Sequence, residues 1–354
     1  MQIDPFGDAM TARDWETGTA EPLRIGVVGV GWFATDFALP AIAESDYCEA
    51  TALVTGSPDE NAAVAAEFDV DAVLTYEQFH DGEGVDAFDA VYVVTPNATH
   101  LEYVESAAAH GKDVIVEKPL EATVERARAA REACEEAGVT LVTAYRMQAA
   151  PTVRRVRELV ADGFVGDPVQ ASGAFGFDLL ADGDADQWRL DPDLAGGGAL
   201  YDIGVYPLNT LRFVLDEDPS AVSGTYRSNG EAFAGLDEHV AFQLEFPSGL
   251  SAQFRASYNA ADENTLTITG TEGRVHMDPA FEPGVPRRVV LERDGRTETV
   301  AGVDVNELAE LFDYAAHAVA TGADVEPDGT DGVVDMEVMA AVYESDESGR
   351  RVER

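Results

Sequence analysis

The run Gly29-Val30-Gly31-Trp32-Phe33-Ala34 follows an apolar stretch and opens a helical pattern, the GxGxxA form of a dinucleotide-binding turn. In such a turn the first glycine takes the bend, the second lets a pyrophosphate approach the backbone, and Ala34 allows close helix packing. The helix start adds N–H donors and a positive dipole end. Gly29, Gly31, Trp32, Phe33 and Ala34 are therefore candidate cofactor contacts. The next strand ends in Val54-Thr55-Gly56-Ser57, where a cofactor with a free ribose 2′-hydroxyl would want Asp or Glu. No acid stands there. Thr55 and Ser57 leave room for a 2′-phosphate and can hydrogen-bond it, which favours NADP, with NAD the weaker use. The usual arginine partner is missing, and Asp59 and Glu60 follow.

Further along, Thr95-Pro96-Asn97-Ala98-Thr99-His100 and Glu117-Lys118-Pro119 each end a strand-like run, at the edge where open α/β sheets bind ligands. Asn97 suits the nicotinamide side and Pro96 fixes the turn. His100 is either a contact or a helix-start histidine with no role. The chain has 21 arginines and only two lysines, Lys112 and Lys118, so a lysine kept at this edge is informative. Only an ammonium offers a compact charge with a tunable pKa. The plain alternative is a surface lysine kept by chance.

The last such segment is Gly196-Gly-Gly-Ala-Leu-Tyr-Asp202-Ile-Gly-Val-Tyr206-Pro-Leu-Asn209. If helical, it puts Asp202 and Tyr206 on one face, with Asn209 a turn further on. A buried structural Asp–Tyr pair is the plain reading. The chemical one is alcohol oxidation, which needs a proton acceptor while hydride leaves. A free tyrosine, with pKa near ~10, serves poorly at neutral pH. A nearby Lys118 ammonium would favour phenolate and stabilise developing alkoxide charge, and Asp202 can orient the pair or the substrate hydroxyls. This requires Lys118 and Tyr206 to share a cleft.

The elements that must position these groups alternate in the first half. Strand signals at 23–28, 48–55, 72–74, 90–94, 114–116 and 140–144 are separated by helical patterns at 33–42, 59–68, 99–110 and 121–137. That is a doubly wound parallel sheet, an α/β fold of Rossmann type, over residues 23–145. Residues 1–22 read as an N-terminal extension. After Pro151 a helix at 151–161 precedes alternating runs at 169–177, 240–246, 250–258, 264–269, 274–277 and 288–293. Two late helices at 306–321 and 331–343 follow. Residues 146–354 thus read as an α+β substrate domain with an open, mostly antiparallel sheet whose polar face could line a site or a subunit contact.

Acidic residues outnumber basic ones 67 to 23, a formal charge of −44, and they are spread along the whole chain. With 45% hydrophobic residues this is a folded protein in an acidic, solvated shell whose repulsion salt would screen. Loss of lysine with acid excess points to a salt-accumulating halophile. A broad basic surface is absent, which argues against nucleic acid or anionic lipid as partners. Two cysteines, Cys48 and Cys134, make no disulfide framework. Without an apolar run of about 20 residues or a signal peptide, a reducing cytoplasm is expected. No metal site is expected either.

Taken together, Gly29-Val-Gly31, Thr95-Pro96-Asn97, Glu117-Lys118-Pro119, Tyr145-Arg146 and Gly196 through Tyr206 resemble the glucose-fructose oxidoreductase/inositol dehydrogenase (Gfo/Idh/MocA) family, in order and spacing along nearly the whole chain. Tyr206 stands where the inositol dehydrogenases usually carry histidine. That makes the chain more similar to the family's glucose-fructose oxidoreductases, dihydrodiol dehydrogenases and haloarchaeal D-xylose dehydrogenases, and the acidity points to the last. The resemblance implies NADP-dependent oxidation of a pyranose such as D-xylose at its anomeric carbon to a lactone. It implies Lys118 and Tyr206 as the acid/base pair, Asp202 assisting, and Glu117, Arg146, Trp188 and Arg189 beside the cofactor. A homodimer or homotetramer through the open sheet is also implied. Ala34 in place of a third glycine departs from the pattern. Two other readings stay open: oxidation of a cyclic polyol or trans-dihydrodiol, and a non-catalytic NAD(P)-sensing regulator.

Overall fold

The computed structural model describes residues 21–181, 186–302 and 305–354, so the expected N-terminal extension lies almost wholly outside the described residues. The chain forms two compact units. The first takes residues 21–146 together with Asn306–Met336, and the second takes Met147–Val305 and Glu337–Arg354.

The first unit is built on six strands, β1 (Leu23–Val28), β2 (Cys48–Val54), β3 (Ala72–Leu74), β4 (Ala90–Val93), β5 (Asp113–Val116) and β6 (Leu141–Thr143). They lie in the order β3-β2-β1-β4-β5-β6, every pair parallel. Strands covered on both faces must be apolar on both, which is why β4 is wholly Val, Ala and Tyr and β5 is Val and Ile after its first residue, while β1 is broken only by Arg24 and Gly26. Strand order reverses between β1 and β4, the place where such sheets take ligands. The helix Val124–Ala137 shows how the crossovers are set: the Thr123 side chain accepts the Arg126 N–H at one end, and Gly138, at φ +68°, ends it. Its Ala127, Ala130 and Cys134 face inward.

From the far end of the sequence the helix Glu307–Thr321 joins this unit, and Phe312 sets its ring edge against Tyr92 of β4 at 5.1 Å. The helix Tyr76–His80 lies outside the helical patterns read from the sequence, although Thr75 and Gln78 form a reciprocal capping box at its start. Lys112 has a structural explanation, since its ammonium donates to the Phe88 carbonyl at 2.8 Å.

The second unit carries β7 (Pro168–Gly176), β8 (Ala221–Arg227), β9 (His239–Glu245), β10 (Ser251–Ser257), β11 (Glu263–Gly270), β12 (Gly273–Met277), β13 (Arg288–Arg293), β14 (Arg296–Ala301) and β15 (Val352–Glu353). Their order is β14-β13-β12-β11-β7-β10-β9-β8-β15, antiparallel throughout except for the parallel pair β7 and β10. On β9 and β10 the residues Val240, Phe242, Leu244, Ala252, Phe254 and Ala256 are buried, while Gln243, Gln253 and Arg255 between them are exposed. One face is core and the other is polar. The amphipathic helix Pro151–Ala161 buries Val153, Val156, Leu159 and Val160 as its spacing requires.

Candidate active site

Just after β1 the two glycines of the fingerprint do different things. Gly29 sits at φ +97°, and a Cβ on it would fall 2.8 Å from both Thr95 Cγ2 and the Val94 carbonyl oxygen. Only glycine allows that bend and that approach. A Cβ on Gly31 would meet nothing within 4 Å, so its backbone fronts open space. Trp32 beside it is 57% exposed, while Ala34 is fully buried and begins the π-helical stretch Ala34–Ala38 that leads into Leu39–Glu44.

At the end of β2, Thr55 is buried, and its hydroxyl oxygen accepts the Ser57 N–H at 3.2 Å and the Asn61 amide at 3.0 Å. Thr55 shapes the loop and leaves Ser57 as its exposed hydroxyl. Tyr76 packs against this loop, its ring 3.4 Å from where a Gly56 Cβ would stand and its hydroxyl hydrogen-bonded to the Gly56 backbone. Burial raises the Tyr76 phenol above its usual range against that hydrogen bond. The capping box was the one local sign of this residue.

His100 is closed to solvent, with Nε2 on the Thr95 carbonyl at 3.0 Å and Nδ1 on the Leu120 carbonyl at 3.2 Å. It ties the loop after β4 to the loop after β5. In the first of these loops the Thr99 hydroxyl donates to the Pro96 carbonyl at 2.7 Å, and Asn97 is buried. In the second, Glu117 accepts the Tyr92 hydroxyl at 2.6 Å through one oxygen and the Lys118 N–H at 3.1 Å through the other. Half-buried Lys118 is thus set by its own neighbour at the ligand edge of β5, ahead of a cis peptide to Pro119. Arg146 is buried in an ion pair with Glu307.

In the second unit the stretch Leu200–Gly204 is π-helical and runs into the helix Val205–Leu215. Such wide turns recur at functional sites. Asp202 and Tyr206 are both half-buried. Arg189 Nε stands 3.5 Å from Asp202 Oδ2, its guanidinium 4.5 Å over the Trp188 ring, and the Tyr258 hydroxyl is bonded to the same carboxylate. Burial first, then the Asp202 charge, hold the Tyr258 phenol far above its ordinary value, so it stays a donor. Tyr206 lies edge-on to Phe175 at 5.4 Å and near Phe281 at 6.1 Å. Asn209 accepts the Gln148 amide at 3.0 Å and is buried, which places it in the packing. No local sequence signal marks Tyr258, Phe175 and Phe281, which come from segments far apart in the chain. Among the described residues no group of three His, Cys, Asp or Glu could hold a metal ion, and no helix is long and apolar enough to cross a membrane.

Comparison with known proteins agrees with this geometry. Residues 23–145 match the oxidoreductase family with an NAD-binding Rossmann fold, and residues 153–276 match the GFO/IDH/MocA C-terminal domain. The chain is 44% identical over 353 residues to a D-xylose 1-dehydrogenase [NADP(+)] of Haloarcula marismortui, covering 98% of both chains. It is 32% identical to a D-xylose 1-dehydrogenase (NADP(+)) 2 of Haloferax volcanii, covering 94% of this chain and 99% of that one. The crystal structure of an aldose-aldose oxidoreductase from Caulobacter crescentus, complexed with glycerol, superposes with a TM-score of 0.89 at 30% identity. It covers 94% of this chain and 100% of that one.

Proposed function

The chain belongs to the GFO/IDH/MocA oxidoreductase family, and from that membership we propose that it is an NADP-dependent aldose dehydrogenase acting on D-xylose or a related pyranose. It oxidises the anomeric carbon to the aldonolactone. The observation that carries this reading is the 44% identity to the Haloarcula enzyme across 98% of both chains.

The residues present fit a dinucleotide. Gly31 leaves the open approach a pyrophosphate needs, at the strand-order reversal and at a helix start. Gly29, Gly31, Trp32 and Phe33 would hold the pyrophosphate with buried Ala34 packing the helix behind them, Ser57 would face the 2′-phosphate side on the loop that Thr55 shapes, and Thr95, Pro96 and Asn97 would line the nicotinamide side. Arg146, Trp188 and Arg189 remain proposed contacts of the cofactor, and His100 and Glu117 support its loops. Bound NADP supplies the acceptor for the hydride leaving C1. Tyr206 Oη takes the proton leaving the C1 hydroxyl, and Lys118 Nζ, as ammonium, stabilises the negative charge that develops on that oxygen. Asp202, held by Arg189 and Tyr258, orients the neighbouring sugar hydroxyls. The enzyme works in the cytoplasm of a salt-accumulating cell, as a homo-oligomer joined through the polar face of its nine-stranded sheet.

The test is NADPH formation, followed by absorbance at molar salt, over a panel of aldoses with both nicotinamide cofactors. Turnover of D-xylose with NADP is expected, falling by about 100-fold or more in Lys118→Ala and in Tyr206→Phe. Failure to turn over any aldose would remove the reading.

A further inference from the structure

The turn that starts the Asp202–Tyr206 run is held by a side chain from another part of the second unit. Asp237, just before β9, is 1% exposed. Its Oδ1 accepts the Gly198 N–H at 2.7 Å and the Tyr343 hydroxyl at 2.5 Å, and its Oδ2 accepts the Leu200 N–H at 2.7 Å. Its own carbonyl accepts the Ala199 N–H at 2.9 Å. These N–H groups stand at the start of the continuous helical run over 200–215, where a helix has no acceptors of its own. A carboxylate at that end also meets the positive end of the helix dipole.

The glycine run fits the same contact. A Cβ on Gly198 would fall 2.2 Å from the Asp237 carbonyl oxygen, and one on Gly197 would fall 2.6 Å from the Tyr343 hydroxyl. Gly197 and Gly198 are therefore the surface on which Asp237 and Tyr343 rest. Burial is the main influence on the Asp237 carboxyl and raises its pKa, while the bonds from Tyr343, Leu200 and Gly198 oppose that and favour the charged form.

We propose that Asp237, backed by Tyr343, is a positioning residue of the active site, fixing the height and rotation of the helical run that presents Asp202 and Tyr206. The proposal rests on the reading that those two residues act in sugar oxidation. In Asp237→Asn the side-chain NH2 must face one of two backbone donors, so half the cap is lost without loss of volume.

The full-length enzyme at molar salt serves for the test. Amide exchange by mass spectrometry in Asp237→Asn is expected to quicken over 196–209 and stay unchanged over the first unit's sheet. NADP affinity stays within about twofold while kcat falls roughly 10- to 100-fold, the cost of a misplaced reacting group. Adding Tyr206→Phe to Asp237→Asn then costs much less than it does in the wild type, a non-additivity that mere loss of stability would not produce. If Asp237→Asn does not fold, Tyr343→Phe keeps the carboxylate and is expected to shift exchange and kcat in the same direction by a smaller factor. Unchanged exchange over 196–209 overturns the proposal whatever the substrate. So does a kcat per folded molecule equal to wild type. A fully active Tyr206→Phe alone would sink the functional reading beneath it, while the exchange arm would still decide whether Asp237 holds the turn.

Discussion

Arg189 and Asp202 meet at 3.5 Å, Nε to Oδ2, where the two side chains are only 18% and 19% exposed. The guanidinium is also stacked on Trp188, so it approaches the carboxylate from a fixed direction. Arg189→Met keeps length and apolar contact but removes the charge, leaving Asp202 with Tyr258 as its remaining partner of the two. The kcat/KM for the aldose is expected to fall roughly 10- to 100-fold, corresponding to about 1.5–3 kcal/mol for a charge-assisted bond. Steady-state kinetics decides it. An unchanged value would mean that Asp202 is set in place without Arg189.

Ser57 presents the exposed hydroxyl of the loop after β2, and no carboxylate stands at the strand end itself. Ser57→Asp would repel the 2′-phosphate and offer an acceptor to a free 2′-hydroxyl. The preference for NADP over NAD, measured as a ratio of kcat/KM values, is expected to drop by about tenfold or more. A ratio that does not move would place the phosphate elsewhere.

Cys48 and Cys134 are both buried, and desolvation pushes each thiol up to about 12. At pH 8 almost no thiolate exists at either. The native protein should leave a colorimetric thiol reagent unreacted over the time in which the unfolded chain titrates both sulfurs. Fast labelling of the folded enzyme would contradict the burial.

A formal charge of −44 makes folding depend on ionic screening. The Debye length grows from about 3 Å at 1 M salt to about 10 Å at 0.1 M, so neighbouring carboxylates repel further as salt is removed. The melting temperature is expected to fall with dilution, on the order of 2–4 °C for each kcal/mol of added repulsion. A non-ionic osmolyte should restore less than an equal osmolarity of salt. A melting temperature indifferent to salt over that range would show that the acids are spaced widely enough to ignore one another.

The parts of the fold that the sequence displays are those with local causes. The parallel strands are mostly apolar runs, several closed by Gly or Pro within three residues, and the bounds read from the sequence for 72–74 and, in the second sheet, 288–293 match the structure to the residue. β8 was hidden because Gly224 interrupts its alternation, and a Cβ there would fall 2.5 Å from Val342 Cγ1, a constraint that no neighbour in sequence reveals. β15, two residues long, is defined only by its pairing with β8. The same division runs through the site. Gly29, Gly31 and Lys118 were legible because a strand end and a turn put them at the sheet edge. The partners of Asp202 were not, since Arg189, Asp202 and Tyr258 lie on separate segments that only tertiary packing brings together.

Arg146, just beyond the last parallel strand, finds its buried carboxylate on Glu307, 161 positions later. Phe312, which sets its ring against Tyr92, arrives with it. A ribosome making this chain therefore lays down all six strands of the nucleotide-binding sheet long before it delivers the helix that covers Tyr92. The sheet must wait, partly uncovered, through synthesis of nearly the whole second unit, and a fragment cut after residue 146 would be left in that unfinished state.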